Sequence, residues 1–194
     1  MADSKTILEA EKCFHIYNHA VGTEMLFKTD RNYHFFLYLV KKHLISFVDI
    51  YAYCLMPNHF HLIILIKEEN EILAKKKAKT SIPLLISQQF SNLFNSYAQA
   101  FNKENNRKGS LFLNRFKRKI IKDEKYLKKL IHYIHYNPVL ANLCKNIYDW
   151  NYSSYNAIIS NRPTLLARSK IVELFHNKLN FIYCHKTLPQ ISGL

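Results

Sequence analysis

Residues 51–66 read YAYCLMPNHFHLIILI, and this stretch decides the fold because it contains two β-like runs joined by a tight break. The first run covers residues 47–56 and is rich in Val, Ile and Tyr, and the second covers residues 59–66. Pro57 and Asn58 interrupt the pattern between the two runs. Two strands separated by so short a break predict an antiparallel pair.

The segments on either side of this pair contain further predicted elements. Along the chain, the strands and helices have the order β-α-β-β-α-β-α. The predicted elements are, in sequence, a strand at 13–20, a helix capped by Asp30 and ending near Ser46, the strand pair, a helix opened by Pro83, a strand at 116–122, and a helix capped by Asp123 and closed by Pro138. A short strand at 25–28 is predicted in addition to this order. This order is the split βαβ pattern. The sequence therefore predicts an α+β, ferredoxin-like antiparallel sheet with helices on one face, followed by a small helical C-terminal extension.

The charge balance points to a polyanionic partner. The 194 residues include 28 Lys and Arg against 14 Asp and Glu, which gives a net charge of +14. A positive field of this size attracts nucleic acid or an anionic membrane surface. No segment approaches the roughly 18–20 apolar residues of a membrane-spanning helix, so we expect no membrane partner.

The cysteine and glycine content argues against several classes of protein. The four cysteines are scattered singly, which predicts reduced thiols in a cytoplasmic protein rather than a disulfide framework or a zinc ribbon. The three glycines form no phosphate-binding loop motif, so a nucleotide cofactor is not expected. Residues 67–80 are rich in lysine and are typical of an exposed connection.

The tripeptide His59-Phe60-His61 is the sharpest local feature. Residues i and i+2 of a strand point to the same face, so both imidazoles project side by side while Phe60 faces the other way. Neutral imidazoles are common metal ligands, and two on one strand can chelate one divalent ion. An ordinary pair of hydrogen-bonded histidines is the alternative, and a metal site needs a third ligand from another element.

The third predicted helix offers such a ligand. Tyr133 and Asn137 are four residues apart, so on a helix they lie about 40° apart in direction and one turn apart along the axis. A phenol and an amide facing the histidine pair would form a phosphoryl-transfer site, in which the phenolate attacks a phosphate. Tyr136 is the rival nucleophile, although it points about 100° away from Asn137.

These segments together resemble the single-tyrosine HUH transposases, and specifically their REP-associated tyrosine transposase branch. The resemblance extends from about residue 13 to residue 159 and rests on residues 51–64, on the Y-I-H-Y-N-P-V-L-A run from Tyr133, on the W-N-Y-S-S-Y run from Trp150, and on R-F-K-R from Arg115. It implies a catalytic domain over residues 1–142, with residues 143–194 as a helical extension packed on it.

The resemblance also implies a chemistry and the residues that perform it. Tyr133 matches the family's nucleophile, His59 and His61 match its catalytic metal ligands, and Asn137 matches the polar residue that completes the metal site. The implied reaction nicks and rejoins single-stranded DNA through a 5′-phosphotyrosine intermediate, with Mg²⁺ or Mn²⁺ as cofactor. Whether the DNA forms a hairpin, and whether a homodimer supplies Tyr133 to the histidines of a second copy, is left open.

The segment before the third helix is the predicted DNA-binding element. Its basic residues alternate along a strand, so two lysines share one face and an arginine takes the other. A basic strand beside the tyrosine helix is suited to follow a phosphate backbone. The predicted DNA contacts are Arg115, Lys117, Arg118 and Lys119.

Two other functions compete with DNA strand transfer. A non-catalytic nucleic-acid-binding module of the same fold would bind DNA without using Tyr133. A metal-dependent hydrolytic nuclease would cut DNA with water and form no protein–DNA adduct. An RNA-recognition domain is less favoured because its aromatic signature is missing from the sequence.

Overall fold

A computed structural model of the protein describes residues 6–75, 81–113 and 115–189. Its elements are β1 (Cys13–His19), α1 (Asp30–Leu44), β2 (Val48–Met56), β3 (His59–Ile66), α2 (Glu69–Lys75), α3 (Ile82–Glu104), β4 (Lys117–Ile121), α4 (Glu124–Leu140), a 3₁₀ turn (Ile147–Asp149), α5 (Tyr155–Ile159), α6 (Arg168–Leu174) and α7 (Lys178–Cys184). None of the helices in the described ranges is long and apolar enough to cross a bilayer.

The four strands form one sheet in the order β2-β3-β1-β4, and every neighbouring pair is antiparallel. β1 and β2 therefore run in the same direction with β3 between them, which is the split βαβ arrangement. The predicted fold class, an α+β ferredoxin-like sheet, is confirmed. The strand pair at the centre of the prediction is β2 and β3, and β3 has the predicted bounds.

The alternation along β3 divides the sheet into two faces. Phe60 is fully buried and its ring contacts Phe36 of α1 and Phe94 of α3, so these helices cover one face. His61 points to the other face, where its ring lies near Tyr133 of α4. The prediction that the helices share one face is wrong for α4. The β-α-β-β-α-β order is complete before this helix, and the face that α1 and α3 leave uncovered is the one on which α4 packs.

Residues 25–28 form no strand, because their backbone is bound to the turn between β2 and β3. The N–H groups of Leu26 and Phe27 both donate to the carbonyl of Pro57, at 2.7 and 3.0 Å. The N-cap of α1 is Thr29 rather than Asp30. The Asn32 side chain accepts the Thr29 N–H at 3.2 Å and so moves the cap by one residue.

Two further boundaries differ from the prediction. Helix α4 continues through Pro138 to Leu140, since a proline near the end of a helix removes only one backbone hydrogen bond. The lysine-rich stretch at 67–80 is only partly an exposed connection, because α2 forms within it and Ile72 is fully buried. Residues 76–80, with most of the lysines, lie outside the described residues.

The chain after α4 covers the outer edge of β2. The N–H of Leu55 donates to the carbonyl of Tyr152, and the N–H of Ala167 donates to the carbonyl of Ile50, both at 2.9 Å. The indole N–H of Trp150 donates to the Leu55 carbonyl at 3.0 Å. An edge strand otherwise presents unpaired backbone groups, so these contacts complete the hydrogen bonding of the sheet.

A buried chain of hydrogen bonds joins α4 to this C-terminal region. His185 Nδ1 contacts the Phe181 carbonyl at 2.8 Å, His185 Nε2 contacts His135 Nδ1 at 2.9 Å, and His135 Nε2 contacts Ser154 Oγ at 2.7 Å. The Ser154 oxygen also accepts the Tyr53 N–H at 2.9 Å. Burial keeps both histidines neutral. A carbonyl can only accept, so neutral His185 donates from Nδ1 and accepts at Nε2 from His135 Nδ1, and the Ser154 hydroxyl then donates to His135 Nε2.

This chain predicts that the protein loses stability in mild acid. Burial lowers the pKa of His185 from 6.5 to about 3 and holds the pKa of His135 well below its usual value. Between pH 6.5 and 3 the unfolded chain therefore binds a proton that the folded chain excludes. Stability is fully present above pH 6.5 and falls as the pH is lowered, by up to about 1.4 kcal/mol per pH unit for each such histidine.

The measurement is urea unfolding at a series of pH values from 7.5 to 4.5, for wild type and His185→Gln. We expect a shallower decline in the variant, because one excluded proton has been removed. Parallel pH profiles for the two proteins would contradict a neutral, buried His185.

Candidate active site

The face of the sheet opposite α1 and α3 gathers histidines from two adjacent strands. In the register of β1 and β3, Tyr17 pairs with His61 and His19 pairs with His59. The His19 ring stacks on His59 with centroids 4.7 Å apart, and the His59 and His61 rings lie 5.1 Å apart. His15 stacks on His61 at 5.1 Å. The strand pairing therefore builds a continuous aromatic surface around the predicted pair.

Helix α4 brings Tyr133 and Asn137 onto this surface. The Tyr133 ring is half-buried, with its centroid 6.4 Å from that of His61 in the same chain. Asn137 is buried, and its side chain is close enough to the His59 ring to influence the His59 pKa. The four side chains predicted for the catalytic and metal sites thus lie together, between β3 and α4.

The surroundings of His59 suit a cation. Its Nδ1 contacts the Asn58 Oδ1 at 2.7 Å, and Asn137 lies against the ring as well. Asn137 Nδ2 is buried and has no hydrogen-bond partner among the described residues, so its carbonyl oxygen is the atom that meets His59. Burial lowers the pKa of His59 to about 4, and a neutral imidazole can donate to only one of two oxygens. The His59 ring therefore keeps one lone pair that is available to a metal ion, and the Asn137 side chain lies beside the same ring.

His61 is oriented by His15. His61 Nδ1 and His15 Nε2 are 2.9 Å apart, and both residues are buried. Burial lowers the pKa of His15 to about 3 and holds the pKa of His61 well below its usual value, so both rings are neutral. When His61 donates its proton to His15, the His61 Nε2 lone pair is left for a metal ion, as in metal sites where a second residue fixes the imidazole tautomer.

Two imidazoles and one amide oxygen form the available donor set. In the described part of the chain, no group of three or more His, Cys, Asp or Glu side chains is arranged to hold a metal ion. A neutral set of this kind leaves coordination positions open for water or phosphate oxygens. The residues present therefore fit a divalent ion bound by His59, His61 and Asn137.

The sequence analysis missed His15 and His19. Both lie in the strand at 13–20 and occupy alternate positions with Tyr17, so they share one face of it. That alternation was visible in the sequence. It gave no indication that this strand would lie beside the His59 strand, because the register is set by the assembled sheet.

The predicted DNA-contact residues divide between the two faces of β4. Lys117 lies 6.0 Å from the Tyr17 ring, and the Lys119 Nζ donates to the Tyr126 hydroxyl at 2.7 Å, so both lysines border the histidine face. Arg118 points to the opposite face, where its guanidinium contacts Ser87 of α3. Arg115 is exposed just before the strand. Of the four predicted residues, the two lysines are the ones that lie on the face with the histidines.

Tyr136, the alternative nucleophile, lies on a different side of α4 from Tyr133. Tyr136 is buried, and its hydroxyl donates to the His185 carbonyl at 2.8 Å. Its ring packs against His132 on the side of α4 that meets the C-terminal region. The Tyr133 hydroxyl has no hydrogen-bond partner in the described ranges. The Tyr136 side chain therefore has a structural role, whereas the Tyr133 hydroxyl is available to react.

Comparisons with known proteins give two matches. A Haemophilus influenzae protein described as "Putative REP-associated tyrosine transposase" is 30% identical over 107 residues, which is 54% of this chain and 57% of that protein. A solved structure of a REP-associated tyrosine transposase bound to a REP hairpin superimposes with a TM-score of 0.58 at 17% identity, over 84% of this chain and 89% of the other. The chain resembles the REP-associated tyrosine transposases.

The resemblance predicted from the motifs is thereby confirmed. The curated relative supports it in sequence, although the match spans little more than half the length of that REP-associated tyrosine transposase. The solved structure supports it in fold. No protein-family model matches the chain.

The different surroundings of the two tyrosines predict different effects on stability. Tyr136→Phe removes a buried hydrogen bond and leaves the His185 carbonyl without that donor, so we expect a loss of about 1 kcal/mol. Tyr133→Phe removes a hydroxyl with no partner and should change stability by less than about 0.5 kcal/mol. Urea unfolding of the two variants provides the measurement, and an equal loss in both would contradict these environments.

Proposed function

We propose that the protein nicks and rejoins single-stranded DNA through a covalent link between Tyr133 and a DNA 5′-phosphate. The observation that carries the proposal is the arrangement of Tyr133, His59, His61 and Asn137 around one site. A nucleophile and a set of metal-binding side chains in direct proximity are what phosphoryl transfer requires.

The proposed reaction needs no external energy source. The Tyr133 oxygen loses its proton and attacks the phosphorus, and the bond from phosphorus to the 3′-oxygen breaks. The departing 3′-oxygen takes up a proton, which leaves a free 3′-hydroxyl and a 5′-phosphotyrosine. Attack of a 3′-hydroxyl on that phosphotyrosine reverses the step, releases Tyr133 and joins the DNA. The covalent intermediate conserves the bond energy, so no ATP is needed.

We propose that His59, His61 and Asn137 hold one Mg²⁺ or Mn²⁺ ion. Such an ion, when bound, polarises the scissile phosphate and neutralises developing charge. The protein's part is to present two neutral imidazoles and an amide oxygen in fixed positions. His15 contributes by holding the His61 ring, and Asn58 does the same for His59.

Single-stranded DNA is the proposed substrate, and a hairpin beside the cleaved strand is the form that the solved relative suggests. That relative is a transposase bound to a REP hairpin. In this chain, Lys117 and Lys119 flank the site and would neutralise backbone phosphates. Tyr133 and His61 approach each other within one chain, so the proposal has the tyrosine act on a site of its own protomer.

The test is adduct formation on labelled single-stranded DNA taken from the gene's own flanking sequence. Wild type with Mn²⁺ should give a covalent complex that survives denaturing electrophoresis and disappears when chelator is present during incubation. Tyr133→Phe should abolish the complex, with a loss of at least about 1,000-fold, because the attacking oxygen has been removed. Tyr136→Phe should retain it.

A matched pair of histidine variants tests the metal site. His61→Gln should lose the Mn²⁺-dependent adduct, whereas His34→Gln changes an exposed histidine on α1 and should leave it unchanged. DNA binding without an adduct in any protein would identify a non-catalytic binding module. Cleavage without an adduct would identify a hydrolytic nuclease.

A further inference from the structure

Lys117 presents an ammonium group beside the candidate active site. Its side chain is exposed, and its Nζ lies 6.0 Å from the centre of the Tyr17 ring. In the described part of the chain, no hydrogen bond or ion pair engages this ammonium. The departing 3′-oxygen of the proposed reaction needs a proton, and an unengaged ammonium can supply one.

The strand register places Lys117 in the same row as His61. Tyr17 pairs with His61 on one side and with Lys117 on the other. Residues paired across neighbouring strands point to the same face, and two strand spacings separate the backbones of Lys117 and His61 by about 10 Å. The Tyr17 ring lies between them, with its centre 5.9 Å from that of His61. A lysine side chain that extends across this ring comes within reach of a phosphate bound at His61.

The other three cations of this segment are less suited to give up a proton at the site. Lys119 Nζ already donates to the Tyr126 hydroxyl at 2.7 Å. Arg118 points to the opposite face of the sheet. Arg115 is an arginine, and a guanidinium keeps its proton in proteins. Lys117 is therefore the cation of this segment that combines the right face with a transferable proton.

Helix α4 crosses the sheet and leaves Lys117 on its open side. Near the beginning of the helix, Tyr126 meets Lys119 of β4. Farther along, His135 is joined through Ser154 to β2, at the other edge of the sheet. The helix has therefore moved away from β4 where it carries the nucleophile, which agrees with the exposure of Lys117.

This arrangement separates the attacking oxygen from the candidate proton donor. In an in-line displacement the attacking and leaving oxygens lie on opposite sides of the phosphorus. Tyr133 attacks from α4, so the 3′-oxygen departs on the side away from the helix, where β1 and β4 lie. Burial and then the Lys117 ammonium lower the pKa of His19, whose ring stacks on His59, so the charge of Lys117 acts on this side of the site.

We infer that the Lys117 ammonium gives its proton to the departing 3′-oxygen and is thus a catalytic residue of strand transfer. As the bond from phosphorus to the 3′-oxygen breaks, a proton moves from Lys117 Nζ to that oxygen, which leaves a neutral amine and a 3′-hydroxyl. When the strand is rejoined, the neutral amine takes the proton of the attacking 3′-hydroxyl. This inference rests on the proposed function, because it assigns a step of that reaction.

The experiment compares oxygen and sulfur as the leaving atom. Single-stranded DNA from the gene's flanking sequence is used with its ordinary phosphodiester, and with a bridging sulfur in place of the 3′-oxygen at the position that wild type cleaves. A thiolate is a much weaker base than an alkoxide and departs without a proton, so the sulfur DNA needs no proton donor.

The variants separate charge from proton transfer. Lys117→Arg keeps the positive charge but cannot release a proton. Lys41→Arg is the matched control, because Lys41 is an exposed lysine of α1, which covers the opposite face of the sheet. Adduct formation is timed with Mn²⁺ at saturating DNA, and DNA affinity is measured separately in Tyr133→Phe protein that carries each change.

On oxygen DNA, we expect Lys117→Arg to form the adduct about 100-fold more slowly than wild type, the usual effect of losing a general acid. Its DNA affinity should change little, because the charge is kept. On sulfur DNA, the rates of Lys117→Arg and wild type should agree within about 3-fold, because no proton is required. Lys41→Arg should match wild type on both substrates.

Two results would overturn the inference. One is a Lys117→Arg rate equal to that of wild type on oxygen DNA. The other is a defect of equal size on oxygen and sulfur DNA, which would assign Lys117 to the positioning of DNA. Failure of the proposed function is read separately, as the absence of an adduct between wild type and either substrate.

Discussion

The alternation of side chains along β3 is the constraint on which both the core and the candidate site depend. Phe60, Leu62 and Ile64 are fully buried on one face and draw α1 and α3 onto the sheet. The same geometry sends His59 and His61 to the other face. A shift of one residue in register would exchange the two sets, bury both imidazoles among phenylalanines and expose the apolar residues. The hydrophobic pattern therefore fixes the position of the chemistry.

The position of α4 completes the site, and it depends on residues far from the histidine strand. An apolar stripe packs the helix on the sheet, and the buried chain from Ser154 through His135 to His185 ties it to the C-terminal region. Unpaired buried imidazoles would be costly, so every member of the chain must be present. The region after α4 thus helps to locate Tyr133 and Asn137 at the candidate site.

The strength of local patterns explains how much could be predicted from the sequence. The hairpin of β2 and β3, the helix capped by Asp123 and the grouping of Tyr133 with Asn137 all follow from periodicities within a few residues. His15 and His61 are separated by 46 positions, and His135 and His185 by 50, so no local pattern could pair them. The placement of α4 on the second face arises only once the sheet is assembled.

The proposed reaction bonds the oxygen of Tyr133 to DNA. The most direct measurement is mass spectrometry of the protein after reaction with single-stranded DNA and Mn²⁺, followed by nuclease and protease digestion. We expect a nucleotide attached to the peptide that contains Tyr133, on that side chain. Attachment to Tyr136 or Tyr126, or cleaved DNA with every tyrosine unmodified, would contradict it.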